Sequence, residues 1–184
     1  LHSMIKSRTL ILVYLLFCLG NIFSQNKVLD SLKHVFYTSK DPKAKYQTSM
    51  YLFKEQFHDN ADSALHYMAY ADKHYTTFQD KKLRSFYYYL RAYILDDRYS
   101  LDSTIMYCDS CLALCGEKEL SLQRADCFFS KAVAYYYKGD VDKAAYWFKS
   151  AIPVFLENGK RKKALNGYSN LIGIYQGQNN KVLV

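Results

Sequence analysis

Apolar residues recur along this chain at intervals of three and four, the spacing that gathers them on one face of an α-helix. From Asn26 to Tyr37 the residues Val28, Leu29, Leu32, Val35 and Phe36 follow it, and Asp41-Pro42 then breaks the run. Lys43–Phe57 carries Tyr46, Met50, Leu52, Phe53 and Phe57; Ala61–Tyr75 carries Ala64, Leu65, Met68 and Ala71. Further runs cover 81–97, 101–115, 119–138 and 141–157, with stops expected at Gly116, Gly139 and Asn158-Gly159. The last, Arg161–Gln176, sets Ala164, Tyr168, Leu171, Ile172 and Tyr175 on one side.

These blocks repeat. The stretch GDVDKAAYWFKSA, Gly139–Ala151, has counterparts at offsets of 40 residues: Asp142, Lys143 and Ala144 fall on Asp102, Ser103 and Thr104, then on Asp62, Ser63 and Ala64. Trp147, Phe148 and Ala151 fall on Tyr107, Cys108 and Cys111, then on Tyr67, Met68 and Ala71. A fixed period of about 20–50 residues marks an array of like units, each unable to bury its apolar face without a neighbour. The pattern predicts an all-α solenoid of antiparallel helix pairs over residues 26–184, with pairs near 43–75, 81–115 and 119–157 and an incomplete repeat at 160–184. Because no second helix follows that last one, we expect a fragment of a longer protein.

Composition agrees with long helices: two prolines and seven glycines leave few breakers among 184 residues, half of them hydrophobic. Tyrosine stands out with 19 copies, and its large ring and polar tip suit helix seams and grooves. Residues 1–24 read as an export signal: Lys6 and Arg8 precede the apolar run Leu10–Gly20, too short to span a bilayer, and Ser24 is a small residue suited to cleavage. Removing it lowers the formal charge from +8 to +6. Basic residues otherwise alternate with acids, as on solvated helix faces, and even the run Lys160–Lys163 is expected at an exposed helix start. No nucleic-acid partner is expected.

The pairs resemble tetratricopeptide repeats, which set an aromatic, a large and a small residue, then tyrosine on the first helix, and alanine and an aromatic on the second. Phe128, Lys131, Ala132 and Tyr135, followed by Ala144 and Phe148, occupy those places; so do Tyr168, Leu171, Ile172 and Tyr175, and Tyr88, Arg91, Ala92 and Leu95 with Thr104 and Cys108. Lys131 and Arg91 stand where leucine is usual, Ile172 where a small residue is usual, and the period is 40 rather than about 34. The export signal, LDSLKHVF and DNADSALHYMAYA are also similar to the exported sensor portions of bacterial histidine kinase or DNA-binding regulators.

Candidate chemistry is sparse. Cys108, Cys111 and Cys115 share a helix face; small buried thiols account for them, while a disulfide from Cys127 to Cys108 or Cys111 stays open and a metal site is not expected. Asp62, Asp102 and Asp142 are expected to cap second helices and complement their dipoles. The histidines lack ligand spacing, and no nucleophile elbow, phosphate loop or HExxH occurs, so neither an enzyme nor a cofactor is expected.

The resemblance implies instead that first helices line a ligand groove. By register it would hold Tyr89, Tyr93 and Asp97, then Phe129, Val133, Tyr136 and Tyr137, then Ser169 and Gln176. An aromatic groove suits a protein or peptide, with carbohydrate a weaker alternative. The expectation is an exported module in the periplasm or cell envelope, meeting a membrane only through its signal or a downstream helix. Two roles fit: the sensory part of an envelope-spanning regulator, or a freestanding scaffold for envelope or nutrient-uptake complexes. A following hydrophobic stretch of about 20 residues would mark the sensor.

Overall fold

A computed structural model describes residues 27–94, 100–116 and 121–182, with side chains over 122–178 in the last stretch. The expected export segment 1–24 and Asp97 lie outside the described residues. Among the described residues eight helices occur in order: α1 at 27–38, α2 Pro42–Gln56, α3 Ala61–His74, α4 Lys81–Ile94, α5 Leu101–Leu114, α6 Ser121–Tyr137, α7 Val141–Glu157 and α8 Arg161–Val182. No strand occurs among the described residues. The chain is therefore all-α, and adjacent helices pack on one another, α2 with α3 and each with the next from α4 to α8, in keeping with a helical repeat.

The helices form two compact units, α1–α3 and α4–α8. In the first, α2 packs along α3 and buries Tyr46, Met50, Leu52, Phe53, Ala64 and Met68. Phe36 of α1 meets Tyr67 and Tyr70 of α3 edge-on, with ring centres 5.1 and 5.2 Å apart. In the second unit α4 packs on α5, α5 on α6, α6 on α7 and α7 on α8, and α4 also touches α6. The small Ala132 and Ala144 are fully buried, letting α6 and α7 approach, and Phe148 and Phe155 fill the core beside them. Each such ring contributes roughly 1.5–3 kcal/mol on burial.

Helix ends follow local chemistry. Gly139 and Gly159 have φ of 82° and 68°, a left-handed conformation that glycine adopts without steric cost. There the next N–H reaches back: Asp140 N donates to the Tyr135 carbonyl at 3.0 Å and Lys160 N to that of Phe155 at 2.8 Å. Gly116 works otherwise. It takes no positive φ; α5 ends because Cys115 turns extended, with ψ at 119°.

The expected caps also need correction. Asn60 and Asp140, not Asp62 and Asp142, accept the free N–H groups, from Ser63 at 3.0 Å and Lys143 at 3.1 Å. Two residues further on the backbone is already helical, so an aspartate there points off the helix. Asp102 accepts from Lys138 of α6, and Asp142 accepts from Gln178 of α8 at 3.2 Å, tying each second helix to a first helix beyond.

Lys131 and Arg91, the basic residues at leucine positions, have a common use. Lys131 Nζ lies 3.7 Å from the centre of the Trp147 ring, and the Arg91 guanidinium lies 5.5 Å from that of Tyr107. Both partners are offset by 40 residues, so the repeat conserves the pairing of a cation with an aromatic face within each helix pair. Lys131 also donates to Asp109 of α5 at 2.5 Å, linking three helices.

On α8 the residues facing inward are Ala164, Gly167, Leu171 and Ile174. Leu165, Tyr168, Ile172 and Tyr175 are exposed, so Ile172 does not fill the role of a small packing residue. Close approach falls to Gly167: a Cβ there would stand 2.7 Å from Ile152 Cγ1.

Candidate functional site

Within the second unit, a cavity of about 210 Å³ opens among first-type helices. Its lining comprises Tyr89 and Tyr93 of α4, Asp126, Phe129 and Ser130 of α6, Phe155 of α7, and Lys163 and Asn166 of α8. The rings are held by packing behind them. Phe129 meets Phe148 edge-on with centres 5.2 Å apart and lies 6.1 Å from Phe155, while Tyr89 sits 6.2 Å from Tyr93.

An acid lies among these rings. The Asp126 side chain is only 15% exposed and accepts from Lys163 Nζ at 2.5 Å and from the Tyr89 hydroxyl at 3.4 Å. Burial, and then the negative charge of Asp126, hold the Tyr89 phenol above its ordinary range, so it remains a donor at neutral pH. Lys163, with its side chain 47% exposed, lies 5.5 Å from the Phe155 ring centre. The site is thus an aromatic pocket with one ion pair whose cationic half meets solvent. It is suited to taking an apolar group and giving hydrogen bonds to an acceptor beside it.

Of the groove residues expected from sequence, Tyr89, Tyr93 and Phe129 meet in this cavity. Val133 is instead packed against the core cluster around Phe148, and Tyr136 and Tyr137 are exposed on the last turn of α6, their rings 5.9 Å apart. Ser169 and Gln176 are exposed away from the lining, which α8 supplies through Lys163 and Asn166.

The register explains the difference. Tyr89 pairs with Asp126 and Asp126 with Lys163, each 37 residues on, and Gln123 donates to Ser85 across 38. The 40-residue period identifies equivalent positions, whereas residues facing each other on adjacent first helices are about a turn closer in sequence. A search for opposite charges 36–38 residues apart would have found Asp126 with Lys163. Lys160 to Lys162 are exposed as expected for that basic run, but Lys163 belongs to the cavity.

Among the described residues, no cluster of three or more histidine, cysteine, aspartate or glutamate side chains has the arrangement of a metal site. None of the described helices is long and apolar enough to cross a membrane. Compared with protein-family models, curated proteins and solved structures, the chain matches none.

Proposed function

We propose that this chain is an exported tetratricopeptide-type solenoid whose α4, α6 and α8 bind an extended protein or peptide segment, and that it forms the sensory part of an envelope-spanning regulator. The supporting observation is the cavity, where three aromatic rings from sequence-expected groove positions surround the Asp126–Lys163 pair. A dry cavity of about 150 Å³ admits a benzene ring, so the space suits one large apolar side chain of the ligand. Lys163 would meet a carbonyl or carboxylate beside that anchor, and Tyr93 and Asn166 would flank it. Repeat arrays bind in this way because stacked first helices present a long row of side chains on one surface.

Selection of a displayed random-peptide library on the purified protein tests the reading. Peptides with a large apolar residue next to an acceptor or acidic group should be enriched. Tyr93→Ala combined with Asn166→Ala should lower their affinity about tenfold, or 1.4 kcal/mol, with helicity by circular dichroism unchanged. Undiminished binding by that variant would remove the cavity from the function.

A further inference from the structure

Four thiols meet in the core between α5 and α6. Cys108, Cys111, Cys115 and Cys127 cluster with Ala92 of α4 under the rings of Tyr88, Tyr89 and Tyr107. All are free and buried, but unequally: Cys108, Cys111 and Cys127 are fully enclosed, whereas Cys115 retains 8% exposure. Sequence spacing leaves Cys127 open as a disulfide partner, and its thiol is hydrogen-bonded with those of Cys108 and Cys111; the Cys111 and Cys115 sulfurs, 3.7 Å apart, form the contact in which one thiol keeps some exposure.

The backbone allows that gap to close. Residues four apart on a helix have Cα atoms about 6 Å apart, inside the range of about 4.4–6.8 Å that a disulfide spans. Cys115 has moreover left the helix, with φ −74° and ψ 119°, and precedes the exposed Gly116, so its side chain is not fixed by helical geometry.

Polarity also favours this pair. The Gln123 amide donates to Cys111 Sγ at 3.2 Å, reaches Cys115 Sγ at 4.0 Å, and donates to Ser85 at 3.2 Å. Hydrogen bonds from Cys115, then from Cys127, hold the Cys111 thiol below its usual range against the cost of burial, and Gln123 adds to them. Cys115 is pushed the other way, chiefly by that same hydrogen bond and then by burial, so it keeps the shared proton.

We propose that Cys111 and Cys115 form a thiol–disulfide exchange site, oxidised by small-molecule disulfides that enter at Cys115. As Cys115 Sγ attacks one sulfur of the disulfide, its proton passes to Cys111 and one thiolate leaves, to be protonated by water. Cys111 Sγ then attacks the Cys115 sulfur of the mixed disulfide, forming the Cys111–Cys115 bond and expelling the second sulfur, which takes the proton from Cys111. The pair gives up two electrons and its one shared proton to the external disulfide, and water supplies the other proton. Cys127 and Cys108, fully enclosed and not in the Cys111–Cys115 contact, remain thiols.

The test is to incubate the purified protein with oxidised glutathione, alkylate it in denaturant, digest it with trypsin and map the thiols by mass. Cys108, Cys111 and Cys115 share the peptide 99–118, while Cys127 lies in 125–131. The expected product is a 99–118 peptide lighter by two hydrogens and alkylated only at Cys108, with Cys127 fully alkylated. Cys115→Ser should abolish the bond and Cys127→Ser should leave it. Linkage of 99–118 to 125–131, or alkylation of all four thiols after oxidation, would overturn the proposal, and the wild-type map decides this even if a variant fails to fold.

Discussion

Asp109→Ala is expected to destabilise the protein by about 2 kcal/mol, less than the 3–5 kcal/mol that follows when one partner of a fully buried ion pair is removed, because the Asp109 side chain is half exposed. Lys131→Met should cost less than about 1 kcal/mol, although it deletes the charge from the same pair. The asymmetry comes from where each group sits. The Lys131 side chain is 6% exposed, whereas that of Asp109 is 55% exposed. Removing the carboxylate leaves a largely buried ammonium against the Trp147 face, and water entering at the half-exposed Asp109 position offsets only part of the loss. Removing the ammonium leaves a carboxylate that water solvates, while methionine refills the space of the lysine stem. Urea denaturation of the two single variants and the double variant checks this. Lys131→Met should restore most of the stability lost in Asp109→Ala, and a larger loss from Lys131→Met than from Asp109→Ala would refute the account.

Gly167→Val is expected to lower stability by about 3 kcal/mol, at the upper end of ordinary overpacking. Even Gly167→Ala should destabilise, despite the roughly 1 kcal/mol that alanine gains over glycine inside a helix. Its Cβ would stand 2.7 Å from Ile152 Cγ1 and 3.2 Å from Cδ1. Cγ1 lies next to the branch point of a buried, β-branched side chain, so it cannot swing clear as a chain end would. Gly173 and Gly177 provide internal controls on the same helix, because a Cβ at either meets nothing within 4 Å. Alanine there should raise the thermal midpoint. Ile152→Ala, costly alone, should be nearly neutral in the Gly167→Ala background, the non-additivity expected of residues in contact. If Gly167→Ala stabilises as Gly173→Ala does, the close approach of α7 and α8 does not limit packing.

These two sites show where the sequence was readable. Helical periodicity gave the all-helical character and the packing of neighbours, because burial of one face leaves its mark at every third and fourth residue. The turns at Gly139 and Gly159 were readable for an equally local reason: left-handed backbone demands glycine. Lys131 was not readable as a buried ion-pair partner, since a lysine at a leucine position of the repeat has the same sequence pattern whether its charge meets solvent or an aspartate on the preceding helix. Gly167 was hidden by alignment to the repeat, which directed attention to Ile172, whereas α8 packs on α7 through a different stripe, Ala164, Gly167, Leu171 and Ile174.

The site was half legible. Tyr89, Tyr93 and Phe129 could be placed because a repeat register predicts equivalent positions on successive helices. Asp126, Ser130, Lys163 and Asn166 could not, because facing positions depend on the stagger between helices rather than on equivalence. Phe155 enters from a second-type helix, which the groove argument leaves out.

The stagger has a geometric consequence. Where Tyr89 and Phe129 are equivalent, Tyr89 faces Asp126, and where Asp126 and Asn166 are equivalent, Asp126 faces Lys163. Each step between first helices thus slides by three residues, about 4.5 Å of helix rise. The row of facing side chains runs as a diagonal across α4, α6 and α8, descending toward the start of each successive helix. A strand laid along it would read a slanted line, its anchors offset along the helix axes as well as across them, so a ligand's spacing and its angle of approach are set by the same slip.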